Sequence, residues 1–283
     1  MSDQADAKSR PPVDNGEEQD TKSQRDENHS PSLPQRSRND LQSRVYNIRP
    51  NAGSLQALII NNLPASNITG EKDTMLMRES LTQSGFSVKC KTRMKIEDME
   101  ICLKEEADNM PSGIDCFVCV VIALGGDGFI KGFCQNASQT KTLSREAIYE
   151  HFKGNNCKPL VLKPKIFIIM SWDKAPGSRM QADGDTDEAE VFKIPTDSDI
   201  LVYECHMSGR PEHGYNEDGS WLIQSLSGVI QKNRERSQSE KIDFLRLLTI
   251  VNSEMATKQK SSNLTRSDSI PLVTSTLTKL IYI

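Results

Sequence analysis

The segment KPKIFIIMSWDK, residues 163–174, gives the clearest indication of how this chain folds. At its centre, residues 166–169 form a short apolar run rich in β-branched side chains, preceded by a proline and followed by charged residues. Such a run is typical of a fully buried strand. In an open α/β sheet, chemistry takes place just beyond the carboxyl end of such a strand. The residues at that end, MSWD at 170–173, place a bulky indole there rather than a nucleophile, which indicates a site that has lost its chemistry.

Predicted strands and helices alternate along the chain, which favours a mainly parallel sheet covered by helices on both faces. The glycine-rich GGDG at residues 125–128 follows a strand, but no helix start or lysine follows it, so we interpret it as a turn rather than a phosphate-binding loop. The predicted strands are residues 55–60, 86–90, 114–124, 166–169, 199–204 and 271–283, and the predicted helices are residues 72–84, 95–110, 144–152, 220 onward and 240–258.

Composition divides the 283 residues into four segments. Residues 1–50 are polar and nearly free of apolar side chains, so burial cannot offset the entropy of ordering them, and we predict a disordered arm. Residues 175–192 are acidic and rich in Gly and Asp, which predicts an exposed, flexible linker. This linker separates a larger folded segment, residues 51–174, from a smaller one, residues 193–283.

The charge and hydropathy pattern excludes several classes of function. A net charge of −4 gives no support for binding to nucleic acid or to an anionic membrane. No apolar run approaches the roughly 20 residues that span a bilayer, and the first residues carry no apolar signal segment. We therefore expect a cytoplasmic protein, with the nucleus as the alternative compartment.

The cysteines predict packing rather than metal or redox chemistry. All seven lie between Cys90 and Cys205, and an odd number in a cytosolic chain favours thiols packed as small hydrophobic side chains. Cys116 and Cys119 form a C-x-x-C pattern within a predicted strand, where an odd spacing points the two sulfurs to opposite faces. We expect no metal site and no cofactor.

Six blocks of this sequence, in order, resemble the caspase family. The likeness covers residues 53–283 and implies a caspase-like three-layer α/β/α fold around a mostly parallel six-stranded sheet. By this resemblance, residues 51–174 correspond to the large caspase subunit and residues 193–283 to the small subunit. The short amino-terminal arm is similar to that of effector-type caspases. The blocks are ALIINN at 57–62, DCFVCVVIALGGDG at 115–128, KPKIFII at 163–169, KIPTDSDILVY at 193–203, DGSWLIQSL at 218–226 and IPLVTSTLTKLIYI at 270–283.

The resemblance implies that the catalytic dyad is missing. Caspases need a cysteine thiolate as the attacking group and a histidine that transfers protons. Leu124 stands where the family has its histidine, and Trp172 stands where it has its cysteine. Gly125 and the backbone N–H of Trp172 can still form an oxyanion hole, but the indole occupies the space that a substrate would use. We expect a catalytically inactive, caspase-like protein.

The resemblance also implies that the pocket for the substrate aspartate is missing. In the family, two arginines and a glutamine bind that carboxylate through charge-assisted hydrogen bonds. The glutamine position corresponds to Met170, and the two arginine positions correspond to Asn67 and Gly214. Loss of catalytic and recognition residues together argues against a sequencing accident.

Two hypotheses from different classes follow. The first is a non-catalytic caspase homologue that regulates apoptosis by binding an active caspase, either activating it or acting as a decoy inhibitor, with activation favoured. The second is a cysteine or serine peptidase with relocated catalytic residues. For the second, Ser171 lies beside the old nucleophile position but should point away from it, and the neighbours Cys205 and His206 should diverge on an extended strand. No Cys/His or Ser/His pair is predicted at the strand ends.

The partner surface and the cleavage sites are expected in the second half of the chain. An edge strand offers unpaired backbone groups to another chain, so the partner is an active caspase in a heterodimer or a second copy in a homodimer. Three linker aspartates, Asp183, Asp185 and Asp187, are candidate sites for cleavage by an active caspase, because flexible exposed segments are cut most easily. The expected interface residues are Pro271, Leu272, Val273, Thr274, Ser275, Thr276 and Leu277.

Overall fold

The computed structural model describes residues 44–49, 53–64, 67–126, 128–134, 140–173, 198–208, 215–216, 218–261 and 270–283. None of the helices in these ranges is long and apolar enough to cross a membrane. The strands are β1 Leu55–Asn61, β2 Ser87–Thr92, β3 Cys116–Gly126, β4 Phe129–Lys131, β5 Thr142–Ser144, β6 Lys165–Asp173, β7 Ile200–Ser208, β8 Tyr215–Asn216, β9 Gly219–Ser220 and β10 Leu272–Ser275. The helices are α1 Ile68–Gln83, α2 Ile96–Asp108, α3 Arg145–Glu150, α4 Trp221–Arg234 and α5 Phe244–Ser261, with a 3₁₀ turn at Lys158–Leu160.

The main sheet confirms the predicted mostly parallel six-stranded arrangement. Its strand order is β10-β7-β6-β3-β1-β2, and β10 alone among these six runs antiparallel to its neighbour. Strand β6, the predicted central strand, pairs with β3 on one side and with β7 on the other. A small hairpin of β4 and β5 continues from the end of β3. Sequence reasoning missed this hairpin because three-residue strands are too short to show a hydrophobic period.

Helices cover both faces of the sheet, which confirms the three-layer α/β/α architecture. Helices α1, α4 and α5 bury one apolar cluster against one face, and helices α2 and α3 bury a second cluster against the other. Strand β3 contributes alternate side chains to the two clusters. Cys116 belongs to the first cluster and Cys119 to the second, so the two sulfurs of the C-x-x-C pattern lie on opposite faces, as predicted.

Two strand boundaries at the carboxyl edge of the sheet differ from the prediction. Strand β6 continues through residues 170–173, which were expected beyond its end, because residues 170–172 pair with both neighbouring strands and Asp173 pairs with β7. Strand β3 likewise continues through Gly125 and Gly126, and Gly128 is the described residue of the predicted turn that lies in a turn. A Cβ atom at Gly125 would lie 2.4 Å from the carbonyl oxygen of Phe129, so only glycine allows the hairpin to close this tightly.

The last predicted strand is shorter than expected. Only Leu272–Ser275 pairs with β7, instead of residues 271–283. The Thr276 N–H still donates to the carbonyl of Ile200 in β7 at 2.8 Å, and the later backbone bonds elsewhere. The N–H of Leu280 donates to the carbonyl of Arg44 at 2.7 Å, and the N–H of Tyr46 donates to the carbonyl of Leu280 at 2.9 Å.

Residues 44–49, which we assigned to the disordered arm, are packed on the fold. The side chain of Tyr46 is buried, and its hydroxyl donates to Asp199 at 2.5 Å. Arg49 forms an ion pair with Asp115 at 3.1 Å. The prediction was wrong here because one tyrosine and one arginine in a polar stretch give no periodic signal. Residues 1–43 and the linker, residues 175–192, lie outside the described residues.

A buried carboxyl joins α1 to α4. Asp73 is fully buried, and its Oδ1 accepts the backbone N–H of Ser220 at 2.7 Å, where Ser220 caps the start of α4. Burial raises the pKa of Asp73 to about 7, against the opposing effect of the hydrogen bonds from Ser220. A carboxyl whose pKa is raised by folding favours the folded state when it is protonated. This contribution is therefore complete below pH 4 and is lost as the pH rises to about 7.

We therefore predict that Asp73→Asn removes a pH dependence of stability. The wild type should lose stability relative to the variant between pH 4 and pH 7, by at most about 4 kcal/mol for a pKa displaced by about three units. Chemical denaturation at pH 4, 5.5 and 7.5 measures this difference, with Asp108→Asn on the exposed end of α2 as the control. Parallel stability profiles for wild type and Asp73→Asn would contradict the prediction.

Candidate functional site

The two positions expected to carry the catalytic dyad are neighbours at the carboxyl edge of the sheet. Leu124 of β3 lies directly opposite Trp172 of β6, and Trp172 lies opposite Met207 of β7. All three side chains face the cluster covered by α1, α4 and α5. Trp172 is only 8% exposed and Leu124 is half-buried. The register therefore places an isobutyl group and an indole side by side, and neither group attacks a carbonyl or exchanges a proton near neutral pH.

Two buried cysteines away from these positions, Cys205 of β7 and Cys157 before the 3₁₀ turn, are poor nucleophiles. Burial raises the pKa of the Cys205 thiol to about 12. Burial also raises the pKa of the Cys157 thiol, whose sulfur donates to the carbonyl of Ala107 at 3.4 Å. Because the thiolate is the reactive species, both side chains remain protonated and unreactive at neutral pH.

A cleft of about 300 Å³ lies beside Leu124 and Trp172. Phe133, in the loop that follows β4, adds an apolar ring to the lining, and Lys131, the last residue of β4, adds a positive charge. Asn62, at the base, is fixed by two hydrogen bonds: its Nδ2 donates to the carbonyl of Met94 at 2.8 Å, and its Oδ1 accepts the Met94 N–H at 2.6 Å. The cleft is largely apolar, and the indole closes one side of it.

Gly125, the expected oxyanion-hole residue, has a structural role that is independent of catalysis. It pairs with Ile130 across the β3–β4 hairpin. Its missing side chain makes room for the Phe129 carbonyl and for Ser171, whose Cβ would lie 3.2 Å from an added Cβ. The hairpin alone requires glycine at this position.

Two of the three expected carboxylate-binding positions are described, and neither presents a charge. Asn67 is the N-cap of α1, where its Oδ1 accepts the N–H of Gly70 at 2.9 Å. Met170 is fully buried in the cluster under α1, α4 and α5. Gly214 lies outside the described residues, as do the candidate cleavage sites Asp183, Asp185 and Asp187.

The structure brings together a Ser/His pair that sequence reasoning did not find. Ser171 Oγ lies 3.1 Å from His206 Nδ1, because the two residues are opposite each other in β6 and β7. As predicted, Ser171 points to the face opposite Trp172, and Cys205 and His206 diverge. The pair depends on the register of two strands that the linker separates. Aligning the starts of the strands, Lys165 with Ile200, would have revealed it.

This Ser/His pair lies in a polar cluster. Ser171 is 2% exposed and packs beneath Gly125. On the same face, Glu204 of β7 forms an ion pair with Arg145 of α3 at 2.5 Å. Glu204 and His206 are half-buried, but Ser171 itself is almost completely buried, so its hydroxyl is poorly placed to attack a substrate carbonyl.

The expected interface strand lies at the edge of the sheet. Its outer edge pairs with no strand among the described residues. Leu272 is 51% exposed and Ser275 is also exposed, whereas Val273 and Leu277 pack partly against the core. The outward-facing surface of β10 is therefore narrower than the sequence suggested. Of the remaining expected interface residues, Pro271 is buried and Thr274 and Thr276 are half-buried.

Comparison with known proteins identifies the family. The family model described as the caspase domain matches residues 55–282. The chain is 28% identical to Caspase-7 of Gallus gallus over 246 residues, covering 80% of this chain and 76% of that protein. It is 27% identical to Caspase-3 of Mesocricetus auratus over 241 residues (80% and 82%) and 29% identical to Caspase-6 of Gallus gallus over 224 residues (73% and 70%). Together with the sheet order and the six sequence blocks, these matches show that the chain belongs to the caspase family.

Proposed function

We propose that this chain is a non-catalytic member of the caspase family that regulates apoptosis in the cytoplasm by binding and modulating an active caspase. The observation that supports the proposal is the register of β3 and β6, in which Leu124 pairs with Trp172. These are the two positions that the family resemblance assigns to the dyad. Nucleophilic catalysis requires an activated nucleophile within hydrogen-bond reach of a base. This pair of side chains provides neither group.

The sheet edge supports pairing with another caspase chain. Strand β10 presents backbone N–H and C=O groups along a free edge, and such an edge is a template for another strand. Leu272 adds an exposed apolar side chain to it. Pairing of this kind uses backbone groups and apolar contacts, so it does not depend on catalytic residues. A catalytically inactive subunit can therefore occupy the place of an active one.

Such pairing is compatible with activation of the partner caspase and with its inhibition. An inactive partner activates if its contacts stabilise the ordered site of the catalytic subunit, and it inhibits if it merely replaces a productive subunit. We favour activation because the apolar core beneath β10 is complete, with Val273 and Leu277 packed against it. A well-folded edge offers a partner a rigid template.

The second candidate function, a peptidase with relocated catalytic residues, is favoured by one observation. Ser171 and His206 form a hydrogen bond of 3.1 Å, which is the geometry of a nucleophile and its base. The 2% exposure of Ser171 argues against this function, since a nucleophile must reach its substrate. We therefore interpret the pair as a polar contact within the core.

We predict that the purified protein does not hydrolyse peptides ending in aspartate and does not react with electrophilic aspartyl inhibitors. The physical reason is the absence of a thiolate and of a base at Leu124 and Trp172. A fluorogenic peptide assay with an active caspase as the positive control measures this. Turnover that disappears in Ser171→Ala would instead establish the relocated peptidase.

We predict that the double substitution Leu124→His with Trp172→Cys does not restore cleavage after aspartate. Asn67 caps a helix and Met170 is buried, so neither of these two positions supplies a charge for the substrate carboxylate. Replacing the buried indole should also lower the free energy of unfolding by about 3 kcal/mol or more, because it leaves a cavity. Circular dichroism and alkylation of the introduced thiol check folding and access. Efficient cleavage by the folded variant would show that the pocket is misassigned.

We predict that Leu272→Asp with Ser275→Asp weakens pairing with an active caspase at least tenfold. Both side chains are exposed on β10, and an Asp at position 275 keeps an acceptor for the Leu277 N–H that Ser275 Oγ accepts at 3.3 Å. The charges therefore enter the interface while Val273 and Leu277 stay packed against the core. Sedimentation of co-expressed chains measures pairing, and Ile101→Asp, which is 57% exposed on α2, is the matched control. Equal binding by the two folded variants would rule out this edge as the interface.

A further inference from the structure

The described residues that precede the fold are bound to those that follow the edge strand. We call residues 44–49 the clasp. Val45 forms a parallel bridge with Leu280, and two backbone hydrogen bonds join the segments: Tyr46 N–H to Leu280 O at 2.9 Å, and Leu280 N–H to Arg44 O at 2.7 Å. The far end of the clasp is fixed separately, because Arg49 binds Asp115 through Nε at 3.1 Å and Nη2 at 3.2 Å. The clasp is therefore held at both ends.

The side chain of Tyr46 extends this attachment into the core. Its hydroxyl donates to Asp199 Oδ1 at 2.5 Å and accepts the backbone N–H of Thr278 at 3.1 Å. Burial, followed by the hydrogen bond to Asp199, raises the pKa of Tyr46 to about 12. The phenol thus remains a hydrogen-bond donor at every pH at which the protein functions.

Asp199 is the point at which three segments of the chain meet. It is fully buried, lies one residue before β7, and accepts hydrogen bonds at Oδ1 from Tyr46 and from Thr278 Oγ1, the latter at 2.5 Å. Its backbone N–H donates to the carbonyl of Thr276 at 2.9 Å. Burial opposes ionisation of Asp199, but hydrogen bonds from Thr278, Tyr46 and Ser198 outweigh burial and lower its pKa, so it remains a carboxylate.

The backbone of Asp199 adopts an unfavourable conformation while its carboxylate binds Tyr46 and Thr278. Its φ angle of +66° lies in the left-handed region, which is unfavourable for residues other than glycine. This conformation turns the chain from residue 198 into β7 while the carboxylate faces Tyr46 and Thr278. Loss of the Tyr46 hydroxyl would leave a buried carboxylate with one donor fewer, which is more destabilising than the loss of an ordinary hydrogen bond.

We propose that the clasp positions the carboxyl-terminal segment, residues 271–281, which includes the edge strand β10. Tyr46 is the positioning residue, acting through Asp199 and Thr278. The proposal rests on the proposed function in one respect, that β10 is the surface offered to another caspase chain. A residue outside the interface would thereby set the strength of pairing, and any event that displaces residues 44–49 would weaken it.

The test compares Tyr46→Phe with Tyr282→Phe in the full-length chain. The first variant removes the hydroxyl that binds Asp199, and the second makes the same chemical change on a half-buried tyrosine one residue beyond the positioned segment. Amide hydrogen exchange should become about tenfold faster across residues 271–281 in Tyr46→Phe, with exchange in β1 and β3 unchanged. Pairing with an active caspase or with a second copy should weaken about tenfold. Tyr282→Phe should match the wild type in both measurements.

The outcomes separate this proposal from the proposed function. Unchanged exchange at residues 271–281 overturns the clasp, and so does faster exchange with unchanged pairing. If the wild type pairs with no chain, the proposed function fails, and the exchange measurement still decides whether the clasp holds the segment. If Tyr46→Phe does not fold, Thr278→Val removes the second hydroxyl from Asp199 at an exposed position, and the same two measurements apply.

Discussion

The pairing of β6 with a strand on each side fixes the rest of the structure. Eight consecutive residues of β6 pair with β3, and nine pair with β7. Because side chains alternate between faces, a slip of one residue would exchange the two faces everywhere along the strand. The apolar side chains of residues 166, 168 and 170 and those of residues 167 and 169 bury into different clusters, so the register is strongly specified.

This register produces two unlike environments at one edge of the sheet. On one face, Trp172 continues an apolar core and lies between Leu124 and Met207. On the other face, Ser171 and His206 form a polar pair next to an ion pair. Under the proposed function, the first environment is a substrate site converted into core. A buried indole contributes far more to folding than the small polar group of a catalytic residue, because it removes a large apolar area from water.

Local signals predicted most of the fold, and long-range contacts account for the differences. The β-branched runs predicted the central strands, and Ser144 and Ser220 cap α3 and α4 as their positions suggested. In contrast, the contact of Tyr46 with Asp199 spans 153 residues, and the contact of Ser171 with His206 crosses the linker. Neither contact produces a pattern within a window of sequence. The early end of β10 also depends on long-range contacts. The Thr276 N–H still donates to Ile200 of β7, but beyond it the Leu280 N–H donates to the carbonyl of Arg44.

The hairpin at the end of β3 requires Gly125 for its structure, whether or not the chain is an enzyme. Gly125 is required because the Phe129 carbonyl lies where its side chain would be, whatever the neighbouring residues do. A chain can therefore exchange its nucleophile and its base and still be unable to exchange this glycine. The presence of this glycine therefore does not help to sort family members into enzymes and inactive homologues. The informative residues are the two side chains that pair at the ends of β3 and β6, at positions 124 and 172.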